Sequence, residues 1–178
     1  MAKAYNILNA EYVIFDFDGV FTDNKVYSDS FGNEIVCSSR SDSLGLNLLR
    51  THLKMNNSTV RLIILSTECN PVVKLRAEKL KLECFQGVSS KINFLQNHLK
   101  IIDNVSMRAQ NLVFLGNDLN DLGVMKVAGF GATPIDGHQL LKHHATYVSP
   151  QKGGKGFIRD VIEFLIGDEL EDVAKNLY

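Results

Sequence analysis

The chain has 178 residues, 45% of them hydrophobic, and a formal net charge of -1 at pH 7. That length suits one well-packed domain and is short for two, and the charge leaves no basic surplus to neutralise a nucleic-acid backbone. A small anionic substrate needs only local positive charge and stays open.

The opening MAKAYNILNA has no apolar core of signal-peptide length, and no run approaches the roughly 18 apolar residues that span a bilayer. A cytoplasmic protein with no membrane partner is expected. Cys37, Cys69 and Cys84 are odd in number and lack CxxC spacing, which reads as free thiols packed as small apolar residues. Glycosylation-type triplets begin at Asn56, Asn57 and Asn104 and are read as chance matches.

The first element is a Val-, Ile- and aromatic-rich run from Tyr12 that ends in Asp16-Phe17-Asp18-Gly19, the pattern of a buried strand that delivers two carboxylates to a turn. Strand side chains alternate, so Asp16 and Asp18 start on one face and can converge where the chain turns at Gly19. Residues 25–28 and 34–37 flank a polar, Gly-containing turn and predict a projecting β-hairpin, a flap over about 22–38. Two strands alone are marginal in water, so the flap is expected to pack against something, plausibly a second copy of the chain.

Ser41-Asp42-Ser43 can cap a helix carrying the core stripe Leu44, Leu46, Leu48 and Leu49, which ends before the polar turn at 54–58. Residues 60–65 form a second core strand that stops at Ser66-Thr67-Glu68. Pro71 fits the first turn of the next helix, which runs to about 80. Cys84-Phe85 is a short strand, and a helix follows Lys91 to about 99.

Residues 112–115 are the third strong strand, ending in Gly116-Asn117-Asp118-Leu119-Asn120-Asp121 before a helix through Val127. Beyond it come a short strand at 130–132, a short helix at 137–144 and an edge strand at 147–148. A flexible basic loop at 152–156 precedes an amphipathic helix over about 157–165, and the tail from 167 to 178 is acidic and weakly helical. His52, His98, His138, His143 and His144 lack ligand spacing and are expected on the surface.

Strands alternating with helices over long connections predict one α/β domain spanning 1–178, with a parallel sheet between helical layers. Ligands bind such sheets beyond the carboxyl ends of the strands, which puts Asp16, Asp18, Ser66, Asp118 and Asp121 at one candidate site. Carboxylates gathered there repel unless a cation sits among them, and an all-oxygen donor set with phosphate chemistry suits Mg²⁺. Ser66 can donate to a phosphoryl oxygen and Lys91 can supply a fixed positive charge. One aspartate can then attack phosphorus while the other moves the proton of the leaving alcohol.

Asp16-x-Asp18-Gly-Val-x-Thr-Asp23, Leu65-Ser66, Lys91 and Gly116-Asn117-Asp118-x-x-Asp121, in that order, resemble the four motifs of the haloacid dehalogenase superfamily of phosphatases. The resemblance implies a three-layer Rossmann-like fold with Asp16 as nucleophile and Asp18 as general acid/base. It implies Mg²⁺ on Asp16, the Asp18 main-chain carbonyl and Asp118, phosphate on Ser66 and Lys91, and Asp121 supporting the metal or Lys91.

Too few residues separate the first motif from the Asp42 helix for a cap domain. With Arg40-Ser41-Asp42-Ser43-Leu44-Gly45 and Gly153-Gly154-Lys155-Gly156-x-x-Arg159, this is similar to the capless homotetrameric phosphatases of 3-deoxy-octulosonate (KDO) 8-phosphate and their sialic-acid relatives. In that group hairpins assemble the tetramer and a neighbouring subunit closes each site.

The KDO 8-phosphate pattern has Ser-Gly-Arg where this chain has Ser66-Thr67-Glu68. Glu68, with Arg-Ala-Glu-Lys at 76–79, is closer to phosphatases of nine-carbon keto sugar acid 9-phosphates, those of deaminated or N-acetylated neuraminic acid. That reading puts Thr67, Glu68, Arg76 and Lys79 at the substrate, with Arg40, Asp42 and Lys155 as further contacts. The alternatives are KDO 8-phosphate hydrolysis and a noncatalytic oligomerisation module like that of sialic acid cytidylyltransferases.

Overall fold

In a computed structural model, residues 5–100 and 109–177 are described. The triplet at Asn104 lies outside the described residues. In chain order the elements are β1 (Tyr12–Phe15), the flap strands β2 (Tyr27–Ser28) and β3 (Glu34–Ile35), α1 (Arg40–Met55), β4 (Arg61–Leu65), α2 (Pro71–Leu80), β5 (Glu83–Phe85), α3 (Lys91–Asn97), β6 (Ala109–Leu115), α4 (Leu122–Val127), β7 (Ala128–Thr133), α5 (Gln139–His144), β8 (Tyr147–Val148), α6 (Phe157–Ile166) and α7 (Leu170–Lys175).

Six strands form one parallel sheet in the order β5-β4-β1-β6-β7-β8. The alternation of side chains divides its core. Val13, Phe15, Ile64, Val113 and Leu115 pack with α1, α2, α6 and α7 on one face. Ile14, Ile63, Leu65, Leu112 and Phe114 pack with α3, α4 and α5 on the other. The three-layer α/β/α fold is thus as expected, with no cap domain among the described residues.

Parity also aims the site. Asp16 follows Ile14 by two residues, so it emerges on the α3 and α4 face, at the end of a strand flanked by β4 and β6.

Several local expectations are corrected. α1 is capped by Ser39, whose Oγ accepts the Ser41 N–H at 3.1 Å, two residues before the predicted cap begins. Asp42 therefore lies inside the helix. His52, expected at the surface, is only 2% exposed on the inner side of α1, with Nδ1 3.5 Å from Glu169 Oε2. The cysteines are free as expected, yet Cys37 and Cys69 are exposed and Cys84 is half-buried, so they are not core residues.

The loop at 152–156 is packed where flexibility was expected. Gly154 N–H donates to the Val20 carbonyl at 3.0 Å, and a Cβ on Gly153 would fall 1.9 Å from the Gly19 carbonyl oxygen. Only glycine admits that approach of two backbones. Among the described residues no helix is long and apolar enough to cross a membrane.

The flap pairs antiparallel, Tyr27 opposite Ile35 and Ser28 opposite Glu34. Its strands are shorter than predicted. A bridge between Thr22 and Ser38 closes its base, and Asp29 ties its turn by accepting the Phe31 and Asn33 N–H groups at 2.8 and 2.9 Å.

Candidate active site

Asp16 is the first residue beyond β1, and both of its recorded contacts fall on one oxygen. Oδ1 accepts the Phe17 N–H at 2.7 Å and lies 2.6 Å from Lys91 Nζ. Oδ2 is free of these two contacts. Lys91 begins α3 behind the Ser90 N-cap, its side chain wholly buried. The same ammonium is 2.6 Å from Asp121 Oδ1.

Asp121 in turn holds the loop after β6. Its Oδ2 accepts the Asn117 N–H at 2.8 Å, with the Asp118 N–H at 3.4 Å. Of its two expected roles the geometry displays support of Lys91, with one oxygen on the ammonium and the other on the loop. Asp118 is exposed, its Oδ1 accepting the Leu119 N–H at 2.7 Å.

Asp18 is half-buried and oriented by Thr22, whose hydroxyl donates to Asp18 Oδ1 at 3.3 Å while accepting the Gly19 N–H at 3.2 Å. The turn depends on Gly19, which has φ +72°, and a Cβ there would meet Asn117 Nδ2 at 1.9 Å. Thr22 and Asn117 stood in the motifs without a role. A glycine required between two such motifs is the signal for Asn117, since its amide fills the missing Cβ's place.

Ser66 ends β4 beside β1 and is buried, its Oγ accepting the Glu68 N–H at 3.0 Å. A hydroxyl oxygen used as acceptor keeps its hydrogen for a phosphoryl oxygen.

Burial, then the Asp121 charge, pushes the Asp16 carboxyl up to about 8 against the opposing pull of Lys91. Burial also raises Asp18; the Thr22 hydroxyl lowers it, Glu68 raises it, Lys91 lowers it and Glu34 raises it. One buried ammonium thus faces two buried carboxylates, with Asp18 and Asp118 near the same strand ends. Among the described residues no three His, Cys, Asp or Glu side chains form a ready-made metal cage. Two carboxylates and a main-chain carbonyl in a site with excess negative charge still suit Mg²⁺, which keeps waters and takes substrate oxygens.

The expected substrate contacts separate into groups. Thr67 and Glu68 are exposed beside Ser66, but Glu68 Oε1 is folded into its own turn, accepting the Cys69 and Asn70 N–H groups at 2.7 and 3.1 Å. Lys155 is exposed on the loop packed against the Gly19 turn.

Arg40, Arg76 and Lys79 lie elsewhere. With Ser43, Asn47 and Arg50 they line a cavity of about 430 Å³ between α1 and α2 that includes none of Asp16, Asp18, Ser66, Lys91, Asp118 and Asp121. Arg76 Nη2 donates to Ser43 Oγ there at 2.7 Å. Asp42, the remaining expected contact, is buried, and its two oxygens accept the Gly156 and Arg159 N–H groups at 3.2 and 3.0 Å, capping α6.

The model of haloacid dehalogenase-like hydrolases matches residues 8–159. The 3-deoxy-D-manno-octulosonate 8-phosphate phosphatase KdsC of Escherichia coli (strain B / BL21-DE3) is 29% identical over 167 residues, 93% of this chain and 82% of that protein. The structure of the phosphatase of that name from Yersinia pestis aligns with a TM-score of 0.76 at 25% identity, over 95% of this chain and 86% of the other. The Moraxella catarrhalis enzyme, in complex with magnesium ion, phosphate ion and KDO, aligns with a TM-score of 0.80 at 24% identity, over 97% and 95%; that likeness is one of fold.

Proposed function

The chain belongs to the haloacid dehalogenase-like hydrolases, and on that premise we propose that it is a Mg²⁺-dependent phosphatase of a 2-keto sugar acid phosphate, with KDO 8-phosphate as its substrate. The observation that carries the reading is the buried Lys91 ammonium 2.6 Å from both Asp16 and Asp121, with Ser66 at the end of the adjoining strand.

In this mechanism Asp16 attacks phosphorus and Asp18 gives a proton to the departing alcohol oxygen, leaving an aspartyl-phosphate. Asp18 then takes a proton from water as that water attacks phosphorus, which releases phosphate and restores Asp16. Ser66 and Lys91 hold the phosphoryl oxygens, and Asp121 keeps Lys91 in place. Asp16, the Asp18 carbonyl and Asp118 would hold Mg²⁺, which when bound neutralises charge on the phosphoryl group.

The eight-carbon substrate is supported by the relatives, which carry that name. The nine-carbon alternative rests on Glu68 in place of the arginine of the KDO 8-phosphate pattern, and the use of the Glu68 carboxylate within its own turn weakens it. The catalytic set also counts against a noncatalytic module.

We further propose a homotetramer. Tyr27, Phe31 and Ile35 of the flap are 55%, 88% and 61% exposed, an apolar surface suited to another flap. Arg40, Arg76 and Lys79, which line a separate cavity of their own chain, would then meet the carboxylate of a substrate held by a neighbouring copy.

The test is phosphate release from KDO 8-phosphate and from a nine-carbon 9-phosphate, side by side with Mg²⁺ and with Asp16→Asn as control. A higher kcat/KM for the eight-carbon substrate is expected. Reversed preference transfers the assignment to the nine-carbon acid, and hydrolysis of neither overturns the reading.

A further inference from the structure

Asn70 uses both ends of its amide. Oδ1 caps α2 by accepting the Val72 N–H at 3.0 Å, and Nδ2 donates to Glu34 Oε2 on the flap at 2.5 Å. Ser28 and Glu34 pair across the flap, as do Tyr27 and Ile35. Alternation therefore turns Glu34 toward α2 and leaves Tyr27 and Ile35 on the opposite, exposed face.

The bonding continues inward. The Asn70 N–H donates to Glu68 Oε1 at 3.1 Å, and the Glu68 N–H donates to Ser66 Oγ at 3.0 Å. A single line of contacts thus runs from the flap to the serine at the end of β4. Glu34 and Glu68 are both within electrostatic reach of Asp18.

We propose that Asn70 is a positioning residue: it clasps the flap against α2 and so sets where the sugar portion of the substrate rests relative to its phosphate. The proposal rests on the sugar-acid phosphatase reading. Two residue pairs cannot hold a hairpin in place unaided. A bond to a carboxylate is stronger than one between neutral groups, and the cap fixes the amide that makes it. Glu34 acts only through this bond; neither residue is required to touch the reacting atoms.

Asn70→Asp separates the clasp from the cap. Aspartate is as good an N-cap as asparagine and has nearly its shape, but it sets a second carboxylate against Glu34. Amide hydrogen exchange in the flap should accelerate, with α2 still protected. KM for KDO 8-phosphate should rise about five- to tenfold, with kcat changed by less than about twofold.

Glu34→Gln in the Asn70→Asp background returns a donor and an acceptor with their polarity reversed, and should restore both flap protection and KM. Unchanged flap exchange in Asn70→Asp, or no rescue by the second substitution, overturns the clasp. If wild-type protein hydrolyses neither sugar acid phosphate, the substrate reading falls, and the exchange comparison still decides whether Asn70 holds the flap.

Discussion

Asp121 shares the Lys91 ammonium with Asp16: Oδ1 of Asp121 lies 2.6 Å from Nζ, and Oδ2 accepts the Asn117 N–H at 2.8 Å. The carboxylate thus fixes both the ammonium and the loop that carries Asp118. Asp121→Asn keeps the shape and removes the charge, and one amide NH₂ must then face a donor. Stability should fall by about 1.5–3 kcal/mol in urea unfolding, as for hydrogen bonds to charged groups. Phosphatase kcat should fall about 10- to 100-fold, as when a partner behind a site ligand is lost. An unaltered kcat would remove Asp121 from the support of Lys91.

The contact between Gly153 and the Gly19 carbonyl predicts a second effect. Gly153→Ala places a methyl group where only 1.9 Å is available, so the loop and the Gly19 turn must separate. The expected destabilisation is about 1–3 kcal/mol, the usual range for overpacking. Since that turn carries Asp18, kcat/KM should fall with it. Thermal unfolding and steady-state kinetics on the same preparations check both, and wild-type values for the two would show that the loop does not brace the turn.

Much of this was legible in the sequence because it depends on short-range pattern. Runs such as 12–15, 62–65 and 112–115 are almost wholly apolar, as strands covered on both faces must be, and a site residue follows each within three positions: Asp16, Ser66 and Asp118. Asp16 and Asp121 meet at Lys91 because the ends of the neighbouring strands β1 and β6 lie side by side. What failed depended on distant partners. Asp42 resembled the cap of its own helix and instead caps α6, bonding 114 and 117 residues along the chain. The loop at 152–156 looked flexible because its glycines fit a backbone far away in sequence. Arg76 and Lys79 share a helix, and spacing alone did not tell that they line a cavity between α1 and α2.

The exposed flap residues predict assembly. Phe31, 88% exposed, has no reason to be apolar at a hairpin tip in a lone chain. Phe31→Asp with Ile35→Asp should convert the proposed tetramer to a smaller species by light scattering without unfolding the sheet. Hydrolysis of the sugar acid phosphate should drop, because Arg40, Arg76 and Lys79 of a neighbouring copy are withdrawn. A wild-type monomer by light scattering would contradict the assembly.

A last prediction concerns pH. Tyr147 donates its hydroxyl to Asp160 Oδ2 at 2.9 Å, and Asp160 Oδ2 also accepts the Ser149 hydroxyl at 2.7 Å. Burial and then this carboxylate push the Tyr147 phenol up to about 12. A folded-state value above the unfolded one means that folding favours the protonated phenol. The contribution to stability is therefore complete below the ordinary tyrosine value of about 10 and disappears as pH rises through about 12. Tyrosinate absorbance of the folded protein should show one late-titrating group that is missing in Tyr147→Phe. The stability of that variant should also decline less steeply over the same alkaline range, and identical titration curves for the two proteins would exclude the Asp160 bond as its cause.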